Sequence, residues 1–213
     1  MRVTFRCGDL DLEGVLEGMP RQPGHKRPAV VVCHPHPVYG GDMHNNVVLA
    51  VCDALSEAGI AALRFNFRGV GASKGQFGDG IGEQDDVRAA VDYLAPLPAV
   101  APGRIGLAGY SFGALVALQA AKNDHRVHAL AAVSPPLAMS DLSFMALDQR
   151  PKLFVAGSRD DFVPLERFSK LVTSLKEPKE QFVVVGADHF WSGHEATAAQ
   201  AVVSFFRHAF QME

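Results

Sequence analysis

With 213 residues, 48% of them apolar and 20% charged, the chain is long enough to bury a substantial core, and it is expected to form one domain over residues 1–213. A formal net charge of -3, with no basic run interleaved with aromatics, argues against a nucleic-acid partner. The longest apolar runs, such as residues 28–33, are far too short to cross a bilayer, so no membrane partner is expected.

The first nine residues carry no apolar signal-peptide core. Cys7, Cys33 and Cys52 are odd in number and scattered, which fits reduced thiols better than a disulfide framework. The expected location is cytoplasmic.

Two short alternating segments, 3–6 and 10–17, open the chain and read as an antiparallel hairpin. A loop rich in proline, glycine and basic residues follows over 19–27. From there β-branched runs alternate with helical ones. Residues 29–34 read as a buried strand, 45–58 as a helix closed by Gly59, and 60–67 as a strand. A glycine-rich loop over 69–82 leads to a helix over 83–94, with acids in its first turns as the helix dipole favours.

A Pro102-Gly103 turn signal precedes a short strand over 105–108, and helix formers fill 114–122. Strands follow at 127–133 and 152–156, a helix at 164–175, a last strand at 181–185 and a last helix at 195–210. This alternation predicts an α/β fold, a mostly parallel sheet with helices on both faces. In such sheets function gathers at the carboxyl ends of the strands.

One such end carries Gly109-Tyr110-Ser111-Phe112-Gly113, a G-x-S-x-G run between strand and helix. A serine at the apex of so sharp a turn must expose its hydroxyl, and a Cβ at either flanking glycine would clash. The helix beginning at Phe112 aims free N–H groups at the same spot, where a reacting carbonyl would develop negative charge. Five letters alone are weak evidence; their setting and the residues downstream carry the reading.

A serine hydroxyl needs a base, and the base needs an orienting carboxylate. Past the strand at 152–156 lie Asp160 and Asp161, ahead of Val163-Pro164; past the strand at 181–185 lie Asp188 and His189. The order Ser111, Asp160, His189 is the one expected on a sheet of this kind. Spacing favours Asp160 over Asp161, and Asp188 is a loop neighbour of His189 that should point away. Activity should fall in acid as the base takes up a proton.

Two backbone N–H groups are needed for the oxyanion. Phe112 should supply one, and the loop His34-Pro35-His36-Pro37-Val38-Tyr39-Gly40-Gly41 the other. Pro35 and Pro37 have no N–H, which leaves His36 ahead of Val38 or Tyr39. No metal is expected at His34, His36 and His44, because no acid or cysteine completes a set in metal-like spacing. His34 is expected to be a packing or hydrogen-bonding residue. Arg64 and Arg68 should brace nearby loops by pairing with Asp85 or Asp86, and Glu83 should support its helix start.

Taken together, these segments resemble the α/β-hydrolase superfamily, and within it the small compact serine hydrolases related to dienelactone hydrolases and short-chain esterases. The resemblance rests on His34-Pro35-His36-Pro37, Met43-His44-Asn45, the run 64–71, the run 82–86, the G-x-S-x-G turn, Ser134-Pro135-Pro136, Asp160 and the run 186–190. It implies an α/β-hydrolase fold, hydrolase activity through a Ser-His-Asp triad, and no cofactor. Dienelactone hydrolases proper carry cysteine at the turn; serine here favours esters.

The interval 134–150, where this fold inserts a lid, is short, so no large cap domain is expected. An open site suits a small-molecule ester with a short acyl chain. Tyr39, Phe190 and Trp191 are candidate substrate-binding residues, with Phe112, Phe144 and Met145 as further candidates for the pocket wall. Peptidase, amidase or thioesterase chemistry on the same triad is the alternative; a non-catalytic hydrolase-fold binding protein is a third reading. A homodimer through the sheet edge or the last helix is compatible with the sequence but not demanded by it.

Overall fold

Successive residues of a strand face opposite ways, and this decides the layering. Along the third strand, Ala29, Val31 and Cys33 enter one buried cluster while Val30 and Val32 enter another. A strand buried on both faces reads as a continuous apolar run and needs helices above and below. The computed structural model, which describes residues 1–212, supplies them.

The strands are β1 (Arg2–Cys7), β2 (Leu10–Glu17), β3 (Arg27–Cys33), β4 (Ala61–Phe65), β5 (Val100–Tyr110), β6 (Val127–Val133), β7 (Lys152–Gly157) and β8 (Lys179–Val184). The helices are α1 (Asn46–Glu57), α2 (Gly82–Leu94), α3 (Phe112–Ala120), α4 (Leu165–Ser174) and α5 (Glu195–Ala209). The sheet runs in the order β1-β2-β4-β3-β5-β6-β7-β8. β2 is antiparallel to both β1 and β4, and every later pairing is parallel. This is the α/β-hydrolase fold.

One face of the sheet is covered by α2, α3 and α4, the other by α1 and α5. Each fully buried Leu or Phe, such as Leu55, Leu63, Phe65 or Phe154, contributes about 1.5–3 kcal/mol to holding these layers together. The chain leaves β3 to one side for β4, then returns to the other side for β5. The carboxyl ends of β3 and β5 therefore frame a crevice at the point where strand order reverses, the usual place for a ligand in an open α/β sheet.

Two local features differ from expectation. β5 starts at Val100, not Ile105, and Arg27 pairs with Val100 while Ala29 pairs with Ile105. The intervening residues, including Gly103 at φ 72°, loop out as a bulge, so the Pro-Gly signal marks an irregularity inside a strand. Arg64 does not reach Asp85 or Asp86; it pairs with Glu17 on β2, and Asp85 pairs with Arg88 one turn along α2.

Arg68 does take Asp86. Its Nε and Nη2 lie 3.0 and 2.7 Å from Oδ1, its backbone N–H donates to Oδ2 at 2.9 Å, and Asp86 is fully buried. Glu83, also fully buried, accepts from the N–H groups of Gly78 and Gly80 and closes the loop ahead of α2. Between β6 and β7 there is only loop and one 3-10 turn, Ser143–Leu147, with no cap domain. Among the described residues no helix is long and apolar enough to cross a membrane.

Candidate active site

The turn from β5 into α3 is as tight as the sequence suggests. Ser111 sits at φ 55°, ψ -120°, a conformation that L-residues rarely adopt. A Cβ on Gly109 would lie 2.3 Å from the Gly113 carbonyl oxygen, and one on Gly113 would lie 2.4 Å from the carbonyl oxygens of Cys33 and His34. Only glycine lets β3, β5 and α3 meet this closely. The Ser111 N–H donates to the Val133 carbonyl at 2.9 Å, which ties the strained residue to β6.

The hydroxyl faces a base. Ser111 Oγ lies 2.9 Å from His189 Nε2, and His189 Nδ1 lies 2.9 Å from both carboxylate oxygens of Asp160. The carboxylate selects the tautomer with hydrogen on Nδ1, leaving Nε2 free to accept from the serine. All three residues are buried. Asp160 follows β7 in a turn, where its Oδ1 also accepts from the Phe162 N–H at 3.0 Å. Asp161 is exposed, and Asp188 points away, its Oδ1 accepting from the N–H groups of Phe190 and Trp191.

The His189 loop is anchored from several sides. The Tyr110 hydroxyl donates to the His189 carbonyl at 2.5 Å, and Asn46 Nδ2 donates to the Phe190 carbonyl at 3.2 Å. The Trp191 indole N–H donates to Ser134 Oγ at 3.0 Å. Trp191 (φ 62°) and Ser134 (φ 46°) both hold left-handed backbone, and this buried bond joins them.

The loop after β3 is equally fixed. His34 is fully buried; its Nε2 accepts from the Phe67 N–H at 3.1 Å, so Nδ1 carries the hydrogen and donates to the Pro35 carbonyl at 2.7 Å. Desolvation pushes its pKa down to about 4. The His36 carbonyl accepts from the Tyr39 and Gly41 N–H groups, and the His36 ring packs 4.6 Å from that of Phe112. His36 and Phe112 both line the crevice beside Ser111. As the first residue of α3, Phe112 has an N–H with no carbonyl partner inside the helix.

Comparison with known proteins agrees with this fold. Residues 18–148 match the sequence model of the family described as X-Pro dipeptidyl-peptidase (S15 family), itself an α/β-hydrolase family. An uncharacterized protein of Rickettsia prowazekii is 35% identical over 188 residues, covering 84% of this chain and 79% of that protein. The solved structure of an α/β serine hydrolase homologue from Coxiella burnetii is 32% identical, with a TM-score of 0.85 and 96% of each chain covered. The chain belongs to the α/β serine hydrolases. A Xanthomonas campestris member of the group, described as lacking a lid, is 30% identical with a TM-score of 0.81, covering 99% of this chain and 93% of that one. The S15 match stops at residue 148 and so takes in Ser111 but neither Asp160 nor His189.

In this α/β serine hydrolase the crevice is a cleft of about 640 Å³. Ser111, Phe112, His36, His189, Tyr39 and Phe190 all line it. Trp191 does not: it is fully buried among the residues between the sheet and the α1 and α5 layer, because its left-handed backbone turns the indole inward. Phe144 and Met145 also lie elsewhere, packed with the cluster on the opposite face.

Sequence reasoning missed Leu115, Pro136, Met139 and Phe162 as wall residues. Leu115 was available from helical spacing, four residues after Ser111. Phe162 follows Asp160 by two, on the same turn. Pro136 and Met139 come from an aperiodic loop with no such signal. A second cavity, of about 610 Å³, lies where β3 begins, at the end of the sheet away from Ser111, and is lined by Arg21, His25, Lys26 and Arg27 among others.

Proposed function

We propose that this α/β serine hydrolase cleaves carboxylic esters with short acyl groups, using Ser111 as nucleophile, His189 as general base and acid, and Asp160 as the group that orients His189. The observation that carries the reading is the continuous hydrogen-bonded run from Ser111 Oγ through His189 to Asp160 at the wall of the cleft. Ser111 Oγ attacks the ester carbonyl while its proton passes to Nε2. The Asp160 carboxylate stabilises the imidazolium, and the N–H groups of Phe112 and His36 receive the oxyanion. The tetrahedral intermediate collapses, the C–O bond to the alcohol breaks, and Nε2 returns the proton to the leaving oxygen. Water then repeats the sequence on the acyl-enzyme and releases the acid.

The family match raises a peptidase as the second reading. An enzyme that removes dipeptides must hold a free α-ammonium, which calls for a carboxylate in the wall. None of the sixteen cleft-lining residues is aspartate, glutamate, lysine or arginine. An uncharged ester suits that wall better.

The test compares p-nitrophenyl butyrate with alanyl-proline p-nitroanilide, for wild type and Ser111→Ala. The ester should turn over and the anilide should not, and Ser111→Ala should lose more than about a thousandfold in kcat with an unchanged melting temperature. Preference for the anilide would favour the peptidase, and full activity in Ser111→Ala would remove the nucleophile.

A further inference from the structure

In the proposed reaction the leaving alcohol takes its proton from His189 Nε2. Its oxygen must therefore come within hydrogen-bond reach, about 3 Å, of that nitrogen. The groups that face the cleft around His189 consequently define the space for the alcohol limb, whatever the acyl group is. Those groups are aromatic. The Phe162 ring lies 4.5 Å from the imidazole, centroid to centroid and tilted 39°, and the Phe190 ring lies 5.9 Å away at 85°. Both line the cleft, yet both are left substantially in water, Phe162 at 39% and Phe190 at 64% exposure.

Large apolar rings beside a reacting centre gain from being covered by an apolar partner. Phe190 is held ready for this. Its N–H donates to Asp188 at 2.9 Å and its carbonyl accepts from Asn46, so the backbone is already fixed and only the ring remains to be ordered on binding. Size points the same way. A cleft of about 640 Å³ falls in the range that accommodates drug-sized ligands, and a short acyl group leaves most of it free.

Resting on the serine-esterase reading above, we propose that the alcohol limb of the substrate is a bulky, uncharged hydrophobic ring seated against Phe190 and Phe162. The substrates are then short-chain esters of aromatic or alicyclic alcohols. Phe190 is the main specificity residue and takes no part in proton transfer.

Two isomeric esters test this. 2-Phenylethyl acetate carries its ring on the alcohol, and methyl 3-phenylpropanoate carries it on the acid; their alcohols are similar in acidity. Wild type should show a kcat/KM about tenfold or more in favour of 2-phenylethyl acetate. Phe190→Ala should lower the preference for 2-phenylethyl acetate over ethyl acetate about fivefold, mostly through the KM of the ring-bearing ester. Phe162→Ala should act in the same direction.

Equal or reversed preference between the isomers would overturn the proposal. So would a Phe190→Ala variant that slows ethyl acetate as much as the ring-bearing ester, since Phe190 would then only shape the His189 loop. Wild type that hydrolyses neither isomer but does hydrolyse p-nitrophenyl butyrate would also overturn it, leaving the esterase reading intact. Ser111→Ala that still hydrolyses any of these esters would instead bring down the reading on which it rests.

Discussion

Acid should weaken this fold through His34, and the size of the effect follows from its surroundings. The ring is fully buried at the end of β3, packed 4.6 Å from Phe67, with both nitrogens engaged by backbone groups. Protonating Nε2 would break the bond from the Phe67 N–H. Desolvation is the dominant influence and lowers the pKa from 6.5 to about 4, although the Pro35 carbonyl and the charges of Asp42 and Asp86 pull the other way.

The folded value lies below the unfolded one, so the unfolded chain binds the proton first as pH falls. Stability from this site is whole above pH 6.5, declines between 6.5 and 4, and levels off below 4. At 1.36 kcal/mol per pH unit, the gap amounts to about 3 kcal/mol. Urea unfolding of wild type and His34→Gln, in steps from pH 7.5 to 3.5, isolates it, because the carboxylates and other histidines titrate in both proteins. The wild-type advantage over the variant should shrink by about 3 kcal/mol across that window. Parallel curves would refute the argument and mean that His34 is hydrated or already protonated in the folded state.

Three further outcomes follow from contacts around the site. Tyr110→Phe removes the hydroxyl that fixes the His189 carbonyl; kcat for an ester should fall about tenfold with KM within about twofold, read by steady-state kinetics. Trp191→Phe strands the buried Ser134 hydroxyl, and urea unfolding should record a loss of about 1–3 kcal/mol. Arg68→Met leaves the Asp86 carboxylate buried without its cation and should cost about 3–5 kcal/mol, much of it recovered in the double variant Arg68→Met/Asp86→Leu.

The architecture was legible because the runs that become β3, β4, β6 and β7 are apolar and buried nearly throughout, and helical runs punctuate them. The neighbours of Ser111 were legible for a steric reason: a Cβ at Gly109 or Gly113 would strike backbone atoms, so the glycines betray the turn. Asp160 and His189 each follow a strand end, where the fold gathers polar side chains, and the structure brings them into one hydrogen-bonded run with Ser111.

What the sequence hid depends on long-range pairing and on side-chain direction. Arg64 meets Glu17 only because β2 pairs antiparallel with β4, placing Val15 opposite Arg64 and Glu17 two residues along on the same face. Trp191 reads as a pocket residue from its place beside His189, yet one left-handed backbone angle sends it into the core. Pro136 and Met139 reach the cleft from a loop whose path no periodicity reveals. The bulge in β5 was hidden by Pro102-Gly103, which signals a chain reversal but here marks residues looped out of a continuing strand.

The central claim is that Ser111 is an activated nucleophile, and covalent labelling tests it most directly. Wild type and Ser111→Ala are treated with a fluorophosphonate and examined by intact-mass and peptide mass spectrometry. The account predicts one adduct, on the peptide containing Ser111, absent from the variant. No adduct on folded wild-type protein, or an adduct that persists in Ser111→Ala, would contradict it.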